Sequence, residues 1–231
     1  MKHIFLSASV ATTLGLGLSA GALAQSTTVK FGWVNVAPNS DASAVSGPLT
    51  PVNALSLKVQ DQSTLYFGAS REINDTWEVE LAMGVPPTHD VAITVLNPGL
   101  PQIVPFDGQV GAKVRQVAPT LFVNYRFGDK NSKFRPFVGA GVNYTVFDKA
   151  DSTAANDQLN GGPTTLKLED SIGLAFQMGV TAKLGGPWSV TGSWTTAQVK
   201  TKLTTNTVGL IRTADITFHP SVFTVALGYT F

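Results

Sequence analysis

The chain has 231 residues, with sixteen basic and fifteen acidic side chains and no cysteine. Its near-neutral charge gives no reason to expect a nucleic-acid partner, and the lack of cysteine excludes a small secreted fold held by disulfides. Charged residues make up only 13% of the chain, which is low for a soluble domain, and 22 residues are glycine.

Residues 1–24 have the pattern of a secretory signal peptide. A basic start at Lys2 is followed by a short apolar stretch and by Ala22-Leu23-Ala24, a typical cleavage site. A retained membrane helix is the alternative, but glycines interrupt the stretch. We therefore predict an exported chain whose residues 25–231 form a single domain. No later run of about 18 apolar residues exists, so any membrane-spanning part has to be a closed β-barrel.

Eight later segments alternate between large apolar residues and small or polar ones, which is the period of a β-strand. The last is the clearest, since its aromatic and aliphatic residues alternate with Thr, Ala and Gly up to the terminal Phe231. Taken alone, it also suits a soluble β-sandwich. In chain order the segments are Thr28–Val36, Thr64–Ser70, Trp77–Val85, Val117–Phe127, Phe137–Phe147, Ser171–Ala182, Trp188–Val199 and Asp215–Phe231.

The links between these segments are alternately long and short. Outer-membrane barrels place short turns on the periplasmic side and long loops outside. The pattern predicts an all-β fold, an eight-stranded antiparallel transmembrane β-barrel with both termini periplasmic. A ten-stranded barrel, with a hairpin hidden in the long link from Pro86 to Gln116, is the alternative.

Several separated motifs resemble one family. They are VPPTHD at 85–90, APTLFVNYRFGDKNSKFRP at 118–136, FRPFVGAGVNYTVF at 134–147, LKLEDSIGLAFQMGV at 166–180 and VALGYTF at 225–231. In this order they resemble the outer membrane protein W family (the OmpW and AlkL type) of eight-stranded barrels. The resemblance implies a Gram-negative outer-membrane protein that passes small hydrophobic compounds. It also implies contact with outer-membrane lipid and lipopolysaccharide, and Leu227, Tyr229 and Phe231 resemble the signal read by the outer-membrane insertion machinery.

Polar residues on the predicted inward faces form a candidate plug. An eight-stranded lumen is just wide enough to be filled by side chains or to hold one small ligand. Because a buried charge without a partner is costly, the carboxylates and the guanidinium are expected to pair and close the periplasmic half. Solvated rim charges are the alternative. The plug residues are Glu78, Glu80, Asn124, Arg126 and Gln177.

Three prolines lie where the third and fourth predicted strands meet at their outer ends. Pro86, Pro87 and Pro119 cannot donate ladder hydrogen bonds, so they weaken pairing along one seam. We predict a lateral opening there, through which a hydrophobic solute leaves above a closed floor. Simple termination of two strands is the alternative.

Catalysis finds little support in the sequence. The spacing of His219 and Ser221 resembles that of some lipid-hydrolysing barrels, but a proline separates them. His89 and Asp90 are too few ligands for a metal, so no cofactor or metal is expected. The main rival to transport is a filled barrel whose loops bind partners, for example as a phage or bacteriocin receptor.

Overall fold

The computed structural model describes residues 26–231, so the predicted signal peptide at 1–24 lies outside the described residues. Within this range no helix is both long and apolar enough to cross a membrane. The described elements in chain order are β1 Thr27–Ala37, β2 Ser40–Ala42, β3 Leu55–Val59, β4 Gln62–Glu72, β5 Trp77–Gly84, β6 Thr88–Val95, β7 Val110–Val117, β8 Thr120–Arg126, β9 Phe134–Ser152, the helix α1 Ala154–Asn160, β10 Thr164–Leu168, β11 Ser171–Gly185, β12 Trp188–Ala197, β13 Val199–Thr207, β14 Leu210–Phe218 and β15 Ser221–Thr230, with a short 3-10 turn at Val104–Phe106.

Eight of these strands close into an antiparallel barrel. Their order around the wall is β1, β4, β5, β8, β9, β11, β12 and β15, and β15 pairs with β1 to complete the ring. The predicted eight-stranded fold is therefore confirmed. Three predicted segments each run across two strands. Pro119 separates β7 from β8 and Pro220 separates β14 from β15, while the predicted strand Trp188–Val199 extends from β12 into the first residue of β13.

The two ends of the barrel differ. One end, the turn end, carries the short connections at 73–76, 127–133 and 186–187 together with Thr27 and Phe231. The other, the loop end, carries the four long connections, which themselves fold. The hairpin of the ten-stranded alternative exists as β6 and β7, but it pairs with the outer part of β9 and does not enter the barrel wall.

The long connections build a second layer above the barrel. It consists of two sheets, β3-β6-β7 with the outer part of β9, and β10-β13-β14-β2, together with α1; we call it the loop-end layer. Strand β9 belongs to both the barrel and the loop-end layer, since it pairs with β8 and β11 over Phe134–Thr145 and with β7 over Val146–Ser152. The barrel and the loop-end layer are thus joined by continuous backbone pairing.

Side chains alternate across the wall as the sequence predicts. On β15 the aromatic and aliphatic residues point outward, whereas Thr224 and Ala226 are buried inside. The outward apolar band suits contact with lipid. At the turn end, Trp188, Tyr229 and Phe231 make edge-to-face ring contacts at 4.9 Å, as in the aromatic girdle of a membrane barrel.

Candidate functional site

A buried polar network crosses the barrel interior near the turn end, with Glu80 at its centre. The Lys30 ammonium donates to Glu80 Oε1 at 2.9 Å, and the Tyr66 hydroxyl donates to the same oxygen at 2.9 Å. The other oxygen accepts from Asn124 Nδ2 at 2.8 Å and from Gln177 Nε2 at 3.1 Å. Glu80 is only 3% exposed, so this set of donors replaces the water that a buried carboxylate needs.

A second group of ion pairs lies closer to the turn end. Arg126 pairs with Glu72, and its guanidinium also lies 3.4 Å from Glu78. Lys30 lies 3.7 Å from Glu78, so that carboxylate joins the two groups. Arg135, 2% exposed, donates from Nη2 to the Asp75 carbonyl at 2.7 Å. Two cations, Lys30 and Arg126, therefore pair with three carboxylates inside a narrow barrel, while Arg135 bonds backbone carbonyls beside them.

Glycines on neighbouring inward positions make room for this network. A Cβ atom at Gly139 would collide with Asn124 Oδ1, and one at Gly68 would collide with the Tyr66 hydroxyl. Both positions face the lumen, where the large polar side chains of adjacent strands cross. Glycine therefore alternates with bulky outward residues for two reasons: the lipid face needs large apolar side chains, and the interior needs the space that glycine leaves for the polar network.

Above the network the barrel encloses a cavity of about 140 Å³, which we call the barrel cavity. An apolar cavity of about 150 Å³ holds a molecule the size of benzene, so the space suits one small solute. Phe122, 1% exposed, and the Tyr66 ring line it together with Gln177 of the network. The polar network therefore lies at the floor of the cavity.

A second cavity, of about 80 Å³, lies within the loop-end layer, and we call it the loop-end cavity. Aliphatic side chains from both sheets line it, among them Leu57, Ile93, Val114, Leu166, Leu203 and Ile216. Pro38, Gln116 and Phe218 line both cavities, so they form the boundary between the two.

Gln116 is held at this boundary by a buried histidine. The His89 ring, 3% exposed, contacts the Gln60 carbonyl through Nδ1 at 2.9 Å and Gln116 Nε2 through Nε2 at 3.1 Å. Because a carbonyl only accepts, Nδ1 carries the proton and Nε2 accepts from the amide. Burial lowers the pKa of His89 below its ordinary value, although the Gln60 carbonyl, Asp61 and Asp90 oppose the shift.

The barrel wall is interrupted between β5 and β8. The two strands pair from Trp77 opposite Tyr125 up to Ala82 opposite Thr120. Beyond that rung, no pairing joins 83–86 to 117–119 in the described chain, and the next link is the 3.2 Å bond from Gln116 N to Pro87 O. The Val85 amide turns instead to the Leu65 carbonyl, at 2.9 Å.

The barrel cavity reaches this gap. Met83, Gly84, Pro87 and Ala118 all line the cavity. Met83 is an outward residue of β5 and is 40% exposed, so this one residue borders both the cavity and the outer surface. We refer to the unpaired stretch as the seam.

Comparison with known proteins agrees with the barrel fold. Residues 24–231 match the model of the OmpW family. This chain belongs to that family. It is 33% identical over 166 residues to outer membrane protein W of Vibrio cholerae, a match that covers 69% of this chain and 76% of that protein. The crystal structure of the outer membrane protein OprG from Pseudomonas aeruginosa superposes with a TM-score of 0.78 at 25% identity, over 89% of this chain and 95% of that one.

A further relative is the dibenzothiophene metabolism operon protein PahQ of Pseudomonas aeruginosa, which is 32% identical over 127 residues, or 54% of each chain. As a member of the OmpW family with a closed antiparallel barrel, the protein is located in the outer membrane of a Gram-negative bacterium.

In this OmpW-family barrel the five predicted plug residues lie together, bonded as described above. Lys30, Tyr66, Glu72 and Arg135 belong to the same network but were missed by the sequence analysis. The signal for Lys30 was present, since it is the one charged residue of β1 and its parity matches that of Val34, which points inward.

The predicted seam residues Pro86, Pro87 and Pro119 flank the gap, although Pro119 lies between β7 and β8 instead of within a strand. Leu227, Tyr229 and Phe231 lie outward at the turn end, and their role in membrane insertion stays a prediction.

The remaining candidates do not form a catalytic or metal site in the described chain. Ser221 Oγ accepts from Asn39 Nδ2 at 3.2 Å, while His219 lies exposed in the break before β15. His89 contacts Gln60 and Gln116 instead of completing a metal pair with Asp90. Among residues 26–231, no group of three or more His, Cys, Asp or Glu side chains has the arrangement of a metal site.

Proposed function

We propose that this OmpW-family barrel takes small hydrophobic molecules in at the loop end and releases them sideways into the membrane through the seam. The observation that carries the proposal is the seam itself. Backbone pairing stops where Met83 and Ala118 line the cavity, and Met83 also contacts the outer surface of the barrel.

The two cavities supply a route in series. A hydrophobic molecule first leaves water in the aliphatic loop-end cavity, where burial of apolar surface is favourable. It then passes Gln116 and Phe218 to reach the barrel cavity, since both residues line both spaces. From there the seam leads to the outer surface, where Met83 is exposed.

The polar network acts in this proposal as the closed floor. Its side chains are buried and paired, so straight passage through the barrel would require breaking several charge-assisted hydrogen bonds. The turn end then faces the periplasm, as short turns and termini do in outer-membrane barrels. With the floor closed, solutes exit through the wall.

The relatives point in the same direction. PahQ is named for an operon of dibenzothiophene metabolism, and dibenzothiophene is an uncharged aromatic molecule. The rival function, a filled barrel whose loops bind a partner, is less well supported because the interior holds a cavity of about 140 Å³.

Cross-linking the seam tests the proposal. The wild-type chain has no cysteine, and continuing the β5 and β8 register places Gly84 opposite Ala118. A Cβ atom at Gly84 comes no closer than 3.3 Å to its nearest neighbour, so Gly84→Cys needs only a small adjustment. In cells that express the G84C/A118C double variant, oxidation should abolish uptake of a labelled aromatic hydrocarbon and reduction should restore it.

The matched control is the double variant L81C/L121C, which joins a paired rung below the seam whose two residues line neither cavity. Its oxidation should leave uptake unchanged, because these residues are already held together. Equal uptake by the oxidised and reduced seam variant would contradict lateral release.

A further inference from the structure

We infer that the barrel cavity is a binding site for uncharged molecules with one hydrogen-bonding end and an apolar body. Such a molecule is held with its polar end on β12 and its apolar body directed at the seam. The inference rests on the proposed function and deepens it by naming the class and the orientation of the transported molecule.

The wall of the barrel cavity differs in chemistry from one side to the other. Val34, Val36, Ala82 and Val222 give an apolar surface on the contiguous strands β15, β1, β4 and β5. In this half the hydroxyls of Thr64 and Tyr66 are already bonded, to the Val85 carbonyl and to Glu80, and Thr224 on β15 lies at its border with β12. The other four strands form the polar half: beside the apolar Phe122 and Ala197 they contribute the hydrogen-bonding residues Thr120, Asn143, Thr145, Gln177, Ser193 and Thr195.

Part of the polar half is internally satisfied. Thr145 donates to Asn143 Oδ1 at 2.7 Å, and Asn143 Nδ2 donates to the Thr120 hydroxyl at 2.8 Å. Both residues lie on β9, and Thr120 lies beside them on β8. These side chains stiffen the wall next to the seam and offer little to a ligand.

The hydroxyls of Ser193, Thr195 and Thr224 differ. All three line the cavity, and within residues 26–231 none of them makes a side-chain hydrogen bond. They are neighbours, because Ser193 pairs with Thr224 across the β12 and β15 ladder and Thr195 is two residues along the same strand. Gln177, opposite Thr195 on β11, adds an amide oxygen that accepts no hydrogen bond within the described chain.

These hydroxyls lie open to the cavity and are not among the buried polar atoms without a partner, so a molecule in the cavity can serve as their hydrogen-bond partner. A ligand that carries one hydroxyl or carbonyl supplies that partner. A pure hydrocarbon of the same shape leaves the groups unpaired, so it is bound less tightly.

The position of this polar patch fixes the orientation. In a ring of eight strands, β12 lies four strands from β5 in either direction, so the patch is opposite the β5 edge of the seam. A molecule anchored at Ser193 and Thr195 therefore points its apolar body toward Met83 and Ala118, which line the seam. Release then begins with the part of the molecule that lipid accepts most readily.

Charged molecules are selected against. The residues that line the barrel cavity include no Asp, Glu, Lys or Arg. The charged groups below are already paired with one another. A carboxylate or ammonium in the cavity would lose its hydration without gaining a counterion, which is strongly unfavourable.

Uptake of three matched probes tests the inference: 1-naphthol, naphthalene and 1-naphthoate at neutral pH. The chain is expressed in a Gram-negative host that lacks its own outer membrane protein W, and initial rates are measured above those of the empty vector. The key variant is S193A/T195V/T224V, and the matched control is Thr196→Val, the adjacent residue of β12 that does not line the cavity. Heat-dependent gel migration establishes that each variant is folded.

The wild type should take up 1-naphthol faster than naphthalene and should not take up 1-naphthoate. In the triple variant the ratio of naphthol to naphthalene uptake should fall about three- to tenfold, the effect of one neutral hydrogen bond. Thr196→Val should leave the ratio unchanged. An unchanged ratio in the folded triple variant, with both probes still transported, overturns the inference alone, whereas the absence of uptake for both probes overturns the proposed function as well.

A second measurement needs no variant. With the wild-type protein in lipid nanodiscs, nuclear Overhauser contacts from 1-naphthol should connect the protons beside its hydroxyl to the Thr195 methyl group. The protons of the distant ring should contact the methyl groups of Ala118 and Met83. The reverse orientation, or binding outside the cavity, overturns the inference even where the triple variant fails to fold.

Discussion

Replacing Lys30 with methionine should destabilise the barrel by about 3 kcal/mol. The ammonium is bonded to Glu80 at 2.9 Å and lies 3.7 Å from Glu78, and its side chain is only 6% exposed. Breaking a buried ion pair by removing one partner costs about 3–5 kcal/mol, because the remaining charge stays buried. The expected loss is at the lower end, since three neutral donors still bond Glu80 after the change.

Unfolding by urea of the barrel inserted in lipid vesicles measures this loss. Tryptophan fluorescence is a suitable signal, because Trp33, Trp77 and Trp188 lie on the outer face and leave lipid on unfolding. Lys58→Met is the control, since Lys58 is exposed on β3 and makes no ion pair within the described residues. It should change the free energy of unfolding by less than about 0.5 kcal/mol.

A double-variant cycle separates the charge pair from other effects. The variant K30M/E80Q removes both charges, so its loss should be smaller than the sum of the two single losses by about 1–3 kcal/mol. Additive losses, or a loss below about 1 kcal/mol for K30M alone, would refute the reasoning that these charges depend on each other.

Three further changes test other parts of the molecule. Arg126→Ala removes a cation that bonds two carboxylates, so it should raise single-channel conductance in a planar bilayer; unchanged conductance would count against a plugged floor. Because burial lowers the pKa of His89, the unfolded chain takes up a proton before the folded one as pH falls. Hydrogen exchange of the loop-end layer, corrected for intrinsic rates, should therefore show lost protection below pH of about 6.5, and His89→Gln should remove this step. Gly173→Ala places a Cβ atom against the Gln198 carbonyl and should lower the free energy of unfolding in the urea assay by about 1–3 kcal/mol. Gly192→Ala, with open space around it, should leave the free energy unchanged. Equal losses for the two variants would contradict the close approach of Gly173 to the Gln198 carbonyl.

The barrel itself was predictable because its signal is local. Each wall strand alternates with period two, so the faces of β5, β9, β11 and β15 follow from parity alone, and the alternation of long and short links gives the strand count. The prolines, which lack an amide donor, also indicated that pairing between β5 and β8 stops early, whereas a lateral opening there stays a prediction.

The loop-end layer was not predictable in the same way. Most of β13 and the first half of β14 lie in a predicted link, and the rest of β14 lies in the predicted last strand. Strand β2 has only three residues, too few to show an alternating pattern. Their pairing joins distant segments, such as Ile216 with Ala42, and that choice depends on the three-dimensional position of the barrel strands below. Only part of the polar network was predictable, for a related reason. Lys30 is recognisable as a network residue only from its contacts with two carboxylates that lie about fifty residues away in the chain.

The pairing of β9 with strands of both the barrel and the loop-end layer has a mechanical consequence. Force applied to the loop-end layer along the barrel axis acts in shear on the β9 hydrogen bonds with β7, β8 and β11, so many bonds resist together. Lateral tension within the membrane acts differently on β5 and β8, because their ladder ends at the Ala82 rung and its bonds open one after another from that edge. We therefore expect the barrel to resist force along its axis better than tension across the seam, where fewer hydrogen bonds share the load.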